Sequence, residues 1–476
     1  MDQIPLELIV KFLEYLPECD LRNSANVCRL FYKAAQDAGC SVCRTINFAG
    51  FGEYEHALAT FDTVVKHAMG KPRSYRSGIA LRLLINCSAT ERDEFKPGIK
   101  LILKALRASL PLLVELHAFV PTCFTNALYG SLCPAPAPRL RILTLGPCTD
   151  LDSPVISPPA NLFKHTAPRL RTLNLALPTL EAGWEPVTAF QHVITAIIRL
   201  YRTGRPIRIS RFFPRLCSLA INLLGNMPQA GTQPAIDLSG LDLQQLALAD
   251  SWFTACTITG TDNIPFVEHK AQLAPAEWLW PIGDTSSSPM GACISHTAPC
   301  AFSVSLTDEN RTRISCCSTL LLQVPALPRL EKRLTTVILG NTLVNHFFGI
   351  NAALSALLEL HIDFTDSYRL CDLRFQSVQL TCPALRSVTL FTLGKPLELR
   401  SDRVAIIGRM LKQEEQPCDA RAVLKLVKID FVRPTPRRQL DIVFPVIQYG
   451  QKMDSKVLRL ADSSASRVEK TCWMPC

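Results

Sequence analysis

None of the short motifs that usually mark an active site occurs in this sequence of 476 residues. There is no Gly-rich phosphate loop, no His-Glu-x-x-His, no Gly-x-Ser-x-Gly and no dinucleotide fingerprint. Those absences exclude the motif-bearing nucleotide enzymes, zinc proteases and serine hydrolases. The nine histidines are scattered, and none pairs with a candidate nucleophile. Cys40-Ser-Val-Cys43 is a lone Cys-x-x-Cys, and His56 and His67 follow too far away for a typical zinc finger. The sequence therefore predicts no catalytic residue, no metal and no cofactor. Charge is also sparse, with 19% charged residues against 48% hydrophobic, which excludes a disordered chain.

A long apolar span is lacking as well. The charge-free run 334–358 contains Gly340, Asn341, Asn345, Gly349 and Asn351, so a strand, a loop and a buried helix are expected there rather than a membrane helix. Asp2, Glu7, Lys11 and Glu14 read against a secretory signal peptide. The 19 cysteines are then expected as reduced, buried thiols, in the cytoplasm or nucleus. The net charge of +10 gathers at Arg202, Arg205, Arg208, Arg211 and Arg215, and again at Arg433, Arg437 and Arg438. Neither stretch alternates with aromatics in a nucleic-acid pattern, so solvated basic loops are expected.

What the chain does have begins at residue 4. Pro5 needs no N–H in a first helical turn, and Glu7 faces the positive end of the helix dipole. Leu6, Leu8, Ile9, Phe12, Leu13 and Leu16 recur at near-helical spacing but cover more than one face. Pro17 ends that helix. Asp20 can cap the next segment, which carries Leu21, Ala25, Val27, Cys28, Leu30 and Phe31. Three short helices this apolar cannot bury every leucine among themselves, and the surplus is surface for a partner.

These residues resemble the F-box. Ile4, Pro5, Glu7, Leu8 and Ile9 match its opening Leu-Pro-x-Glu and apolar pair, with Ile4 replacing the usual leucine. Tyr15-Leu16-Pro17, Asp20-Leu21 and Val27-Cys28-Arg29-x-Phe31 match its later positions in register. The resemblance covers roughly residues 3–40. It implies docking on a Skp-family adaptor and, through it, on a cullin–RING scaffold. On that basis Pro5, Leu6, Leu8, Ile9, Leu13, Leu16 and Leu21 are the expected adaptor contacts.

A second pattern fills the rest of the chain: a breaker, then Leu-x-x-Leu-x-Leu. It appears at Pro138-Arg-Leu-Arg-Ile-Leu-Thr-Leu, Pro168-Arg-Leu-Arg-Thr-Leu-Asn-Leu and Pro214-Arg-Leu-Cys-Ser-Leu-Ala-Ile. Looser copies begin at Pro111, Leu243, Leu357 and Pro383, with a last one at 424–429 and a degenerate early one at 79–85. Starts at 111, 138, 168 and 214 leave intervals of 27, 30 and 46 residues. Alternation inside each phrase predicts a short strand. Helical faces are expected between phrases: Ile99, Ile102, Leu103 and Leu106; Val187, Phe190, Ile194, Ile197 and Tyr201; and Val404, Ile407, Met410 and Leu411. A strand–helix unit repeated in this way predicts stacked repeats, because one unit cannot bury its own leucines. The phrase resembles the leucine-rich repeats of many F-box proteins, although most copies lack the usual asparagine.

The expected fold class is thus α + α/β: a small N-terminal three-helix F-box followed by an irregular leucine-rich-repeat (strand–helix) solenoid. The expected organisation is F-box 1–43, repeats 44–224, a Pro/Ser-rich irregular insertion 225–325 with a poorly ordered stretch at 281–312, repeats 326–450, and a polar tail 451–476. Strand residues between the core leucines should share one concave face. That set is Glu115, His117, Ile142, Thr144, Thr172, Asn174, Ser218, Gln245, Glu359, His361, Ser387 and Thr389. The resemblance implies a non-enzymatic substrate-recognition subunit of an SCF-type E3 ubiquitin ligase, its repeats holding an unknown target protein. Two alternatives stay open: an F-box scaffold acting outside a ubiquitin ligase, and a basic nucleic-acid-binding repeat protein.

Overall fold

Each Pro-Arg-Leu phrase folds as a tight turn that buries a leucine and starts a strand. In the computed structural model, the Leu140 N–H donates to Ala137 O (3.3 Å), Leu170 to Ala167 (3.1 Å) and Leu216 to Phe213 (3.4 Å). Proline stands second in each four-residue turn, where its fixed φ is already correct. The structure describes residues 5–13, 27–37, 44–49, 81–86, 96–147, 158–177, 185–201, 207–224, 235–250, 257–261, 263–271, 289–298, 301–309, 311–317, 332–344, 353–365, 380–432, 438–450 and 452–455, with isolated residues between 24 and 66, at 347 and at 457–458. Two units divide the chain, residues 1–242 and 243–476.

The first unit opens with helices α1 (Leu6–Leu13) and α2 (Arg29–Asp37). Ile9 and Leu13, one turn apart on α1, are buried, as is Ala34 of α2. Leu16 and Leu21 lie outside the described residues. A parallel sheet follows in chain order: β1 (Arg44–Ala49), β2 (Leu81–Asn86), β3 (Leu113–Val120), β4 (Ile142–Pro147), β5 (Thr172–Leu177), β6 (Thr195–Tyr201) and β7 (Ser218–Leu224). Its inner face is the alternate set Leu83, Leu116, Leu143, Leu173, Ala196 and Leu219, all buried. Among the described residues the α-helical connections include α3 (Lys96–Ser109) and α4 (Thr125–Leu132), and those between 58 and 66 are helical as well. The expected face Ile99, Ile102, Leu103 and Leu106 is the buried side of α3.

The helix expected from Val187 to Tyr201 is not one. Residues 188–190 form a 3-10 turn and residues 195–201 form β6. The Val193 N–H donates to Phe190 O at 3.1 Å, the same turn as in the other phrases but without proline. This unrecognised copy divides the interval of 46 residues. Register-equivalent positions Glu115, Ile142, Thr172, Thr195 and Ser218 are spaced 27, 30, 23 and 23 apart.

The second unit runs β8 (Gln245–Asp250), β9 (Phe266–Ala271), β10 (Met290–Ala298), β11 (Ala301–Thr307), β12 (Thr312–Cys317), β13 (Leu334–Gly340), β14 (Glu359–Asp363), β15 (Ser387–Phe391), β16 (Val423–Val427) and β17 (Ile447–Gly450). Its spatial order is β8-β9-β12-β11-β10-β13-β14-β15-β16-β17. All neighbours are parallel except β12-β11 and β11-β10, which are antiparallel. The stretch read as a poorly ordered insertion therefore supplies three strands across 290–317. Ala292, Ile294, Val304 and Leu306 join the buried core there, and Cys293, Ser303, Ser305 and Ile314 on the other face are buried too, residues that carry no leucine phrase. Helix α5 (Ser401–Met410) bears the expected buried Val404, Ile407 and Met410, and it packs against α6 (Arg438–Val443). Long, mostly parallel sheets with few helices are compatible with a repeat solenoid.

Candidate protein-binding surfaces

Helix α1 divides its apolar residues between two jobs. Ile9 and Leu13 face inward, whereas Leu8 and Phe12, also one turn apart, are 57% and 67% exposed. Pro5 is exposed and Leu6 half-buried. Val27 and Tyr32 are exposed on the neighbouring segment. Burying a leucine or phenylalanine side chain is worth about 1.5–3 kcal/mol, so an uncovered Leu8–Phe12 stripe favours association. Phe12 was not among the expected adaptor contacts, although its i+4 spacing from Leu8 is legible in the sequence. Ile9 and Leu13, which were, are occupied in holding α1 in place.

Register assembles the expected sheet-face residues of the first unit into two rows. One is Arg82, Glu115, Ile142, Thr172, Thr195 and Ser218; the other is Leu84, His117, Thr144, Asn174, Ile197 and Ala220. Arg82, Leu84, Thr195, Ile197 and Ala220 were not in the expected set and are added by register. Arg82 Nε lies 3.0 Å from Glu115 Oε2, and His117 Nε2 lies 4.0 Å from the same oxygen. His117 Nδ1 shares a hydrogen bond of 2.9 Å with Thr144 Oγ1. Burial pushes the Glu115 pKa up, but the neighbouring His117 imidazole and the Arg82 guanidinium outweigh it and hold the carboxyl below its ordinary range. Most of this face is half-buried, mixed in polarity and charged only at one end.

In the second unit the expected surface is largely covered. Gln245 and Glu359 are half-buried, but His361, Ser387 and Thr389 retain only 5%, 4% and 3% exposure. These three were expected on an open face and are not open. Register continues the His361 row through Ile338, Cys293, Ser305, Ile314 and Glu268, every one buried. Cys293, Ile338, Phe391 and Val427 pack with Val457, and Met453 lies against them. The segment read as a polar tail thus contributes side chains to this face. Cys40 and Cys43 lie outside the described residues.

The F-box-like family matches residues 1–48. Residues 1–48 are an F-box-like domain. No curated protein matches the chain. The match spans α1 and α2 and ends within β1, the first strand of the parallel sheet of the first unit. No helix among the described residues is long and apolar enough to cross a membrane.

Proposed function

We propose that the chain is a substrate-recognition subunit of an SCF-type E3 ubiquitin ligase, with no catalytic chemistry of its own. The F-box-like domain docks on a Skp-family adaptor, which joins it to a cullin–RING scaffold in the cytoplasm or nucleus. The parallel sheets are read as an irregular leucine-rich-repeat platform that holds a target protein. Catalysis would then be a proximity effect, raising the local concentration of target lysines near a charged conjugating enzyme.

The observation that carries this reading is the Leu8–Phe12 stripe, exposed inside the matched F-box-like segment. An apolar stripe on a positioned helix suits helix-in-groove or helix-on-helix docking by a protein partner. Co-purification of the full chain with adaptor and cullin tests it. The wild type should retain both proteins, and Leu8→Asp should retain neither while its circular dichroism stays unchanged. Adaptor retained by a folded Leu8→Asp chain would overturn the adaptor assignment. Adaptor bound without cullin would favour a scaffold acting outside the ligase.

A further inference from the structure

The net charge of the chain resides in one stretch. Residues 96–224 carry 15 Lys and Arg against 5 Asp and Glu, an excess equal to the +10 of the full sequence, so the remaining residues balance. Part of that excess is built into the edge of the first unit where its parallel strands begin. Continuing the β4–β7 register back through the turns aligns Arg139, Arg169, His192 and Arg215, one on each turn. Two residues on, it aligns Arg141, Arg171, Ile194 and Cys217. Backbone bonds hold this second row: Arg171 N–H donates to Arg141 O (3.0 Å), Ile194 N–H to Arg171 O (2.9 Å) and Cys217 N–H to Ile194 O (2.9 Å). Neighbouring strands are about 4.8 Å apart, so the four rungs span about 14 Å.

Arg141, Arg169, Arg171 and Arg215 are exposed, and among the described residues no carboxylate pairs with any of them. Arg171 Nη1 donates to Pro168 O (3.1 Å) and His192 O (3.2 Å), which ties its guanidinium across two turns. A loop adds to the same edge. Phe163, Lys164 and His165 have φ of 52°, 50° and 63°, a left-handed backbone that L residues rarely adopt. Burial of Phe163 and a bond from Lys164 N–H to Cys133 O (3.1 Å) hold it there, with Lys164 and His165 exposed. Thr166 O accepts the Ala137 N–H (3.0 Å), which sets the loop beside the first rung. Strain of this kind collects at functional sites. Like charges stacked this closely repel one another, and an anionic ligand relieves the repulsion.

The apolar member of the edge selects the kind of anion. Ile194 is 42% exposed between Arg171 and Cys217, and no aromatic side chain is exposed among the described residues of 96–224. A nucleic acid would find no ring on which to stack its bases, and its phosphates gain nothing from isoleucine. An extended peptide suits both features, because carboxylates pair with arginines in bidentate fashion and an apolar side chain covers Ile194. At about 3.3 Å per residue, about five residues cross the four rungs. We propose that this edge is a docking site for an extended acidic peptide of the target, with an apolar residue among its carboxylates. The proposal rests on the reading that the sheets hold a protein target. Its test uses neither adaptor nor cullin, so each reading can fail without the other.

Fluorescence anisotropy of labelled Asp-Glu-Leu-Glu-Asp, titrated with the full chain at low salt, tests it. Arg169→Ala/Arg215→Ala should weaken binding at least tenfold, and Ile194→Ser at least threefold, with circular dichroism unchanged. Arg386→Ala/Lys395→Ala removes the same charge from exposed positions of the second unit and should leave binding within twofold. A peptide with lysine at each acidic position should bind at least tenfold more weakly, a comparison that needs no variant. Absent binding of the acidic peptide, equal binding of the lysine peptide, or equal weakening by the second-unit variant would overturn the proposal. So would a single-stranded oligouridine of about 15 nucleotides that binds more tightly than the peptide and depends on Arg169 and Arg215.

Discussion

Arg82 Nε stands 3.0 Å from Glu115 Oε2, across a register in which Arg82 of β2 pairs directly with Glu115 of β3. The pair is mostly shielded, and His117 approaches the same carboxylate from two residues along the strand. A carboxyl whose pKa is depressed on folding stabilises the fold above its unfolded value of 4.5 and loses that contribution as pH falls through the folded value. Glu115→Gln should therefore cost about 1–2 kcal/mol at neutral pH, between the values for ordinary hydrogen bonds and for those to charged groups. The deficit should shrink toward zero as the pH drops below 4.5 and the wild-type carboxyl takes up its proton. Urea midpoints for both chains from pH 7 to pH 3 check this, and a pH-independent difference would show that Glu115 acts by packing alone.

His269 should add to the same acid-side loss, at higher pH. It is buried on β9, and burial lowers its pKa from 6.5 to about 4. Between those values the unfolded chain binds a proton that the folded chain refuses. Stability is therefore lost as pH falls from 6.5 to about 4, with a slope approaching ~1.4 kcal/mol per pH unit. His269→Gln removes the titration, so its stability curve should be flatter than that of the wild type across this window. Denaturation at pH 7, 6, 5 and 4 would test it, and parallel curves would exclude the residue as a source of acid sensitivity.

These rows were legible where leucine and proline wrote them and illegible where other residues did the same work. Pro138, Pro168 and Pro214 announced their turns, and the strands after them lie in the expected places. At 190–193 the turn has no proline and the buried positions are Val193, Ala196 and Ile198. Val187, Phe190, Ile194 and Ile197 then happen to fit a 3.6-residue period, and the β-branched content that favours a strand was outweighed. Strands β10 and β11 are rich in alanine, serine and single branched residues, and both of their faces are buried, so no alternation marks them. Met453 and Val457 join a cluster with Cys293 and Ile338, residues far back in the chain, and no local pattern records that.

The division of labour on α1 predicts separable losses. Ile9 and Leu13 are buried, so Ile9→Ala should destabilise the helical segment by about 2–4 kcal/mol through lost transfer and a cavity. Phe12→Ala, at an exposed position, should stay within about 0.5 kcal/mol of wild-type stability. Adaptor affinity should respond the other way. Phe12→Ala should weaken it by tenfold or more, as expected for an aromatic anchor. Calorimetric titration of the adaptor beside thermal melts of both variants separates the two effects. Equal affinities for wild type and Phe12→Ala would remove Phe12 from the interface.

Gly408 sets how closely α5 approaches α6. A Cβ built there would overlap Val443 Cγ1 and lie 2.8 Å from Phe444 Cε2, and both side chains are fully buried. Alanine in a helix interior gains about 1 kcal/mol over glycine by propensity. Overpacking a dense core costs about 1–3 kcal/mol, and neither neighbour is a flexible side chain that can swing aside. The clash should win, leaving Gly408→Ala less stable by about 1–2 kcal/mol. Val443→Ala removes the overlapping methyl group, so in that background Gly408→Ala should become neutral or stabilising. A double-mutant cycle by urea denaturation measures the coupling, expected at 1 kcal/mol or more (about the size seen for residues in contact). Additive effects would mean that the helices relax apart and that the glycine is not what fixes their distance.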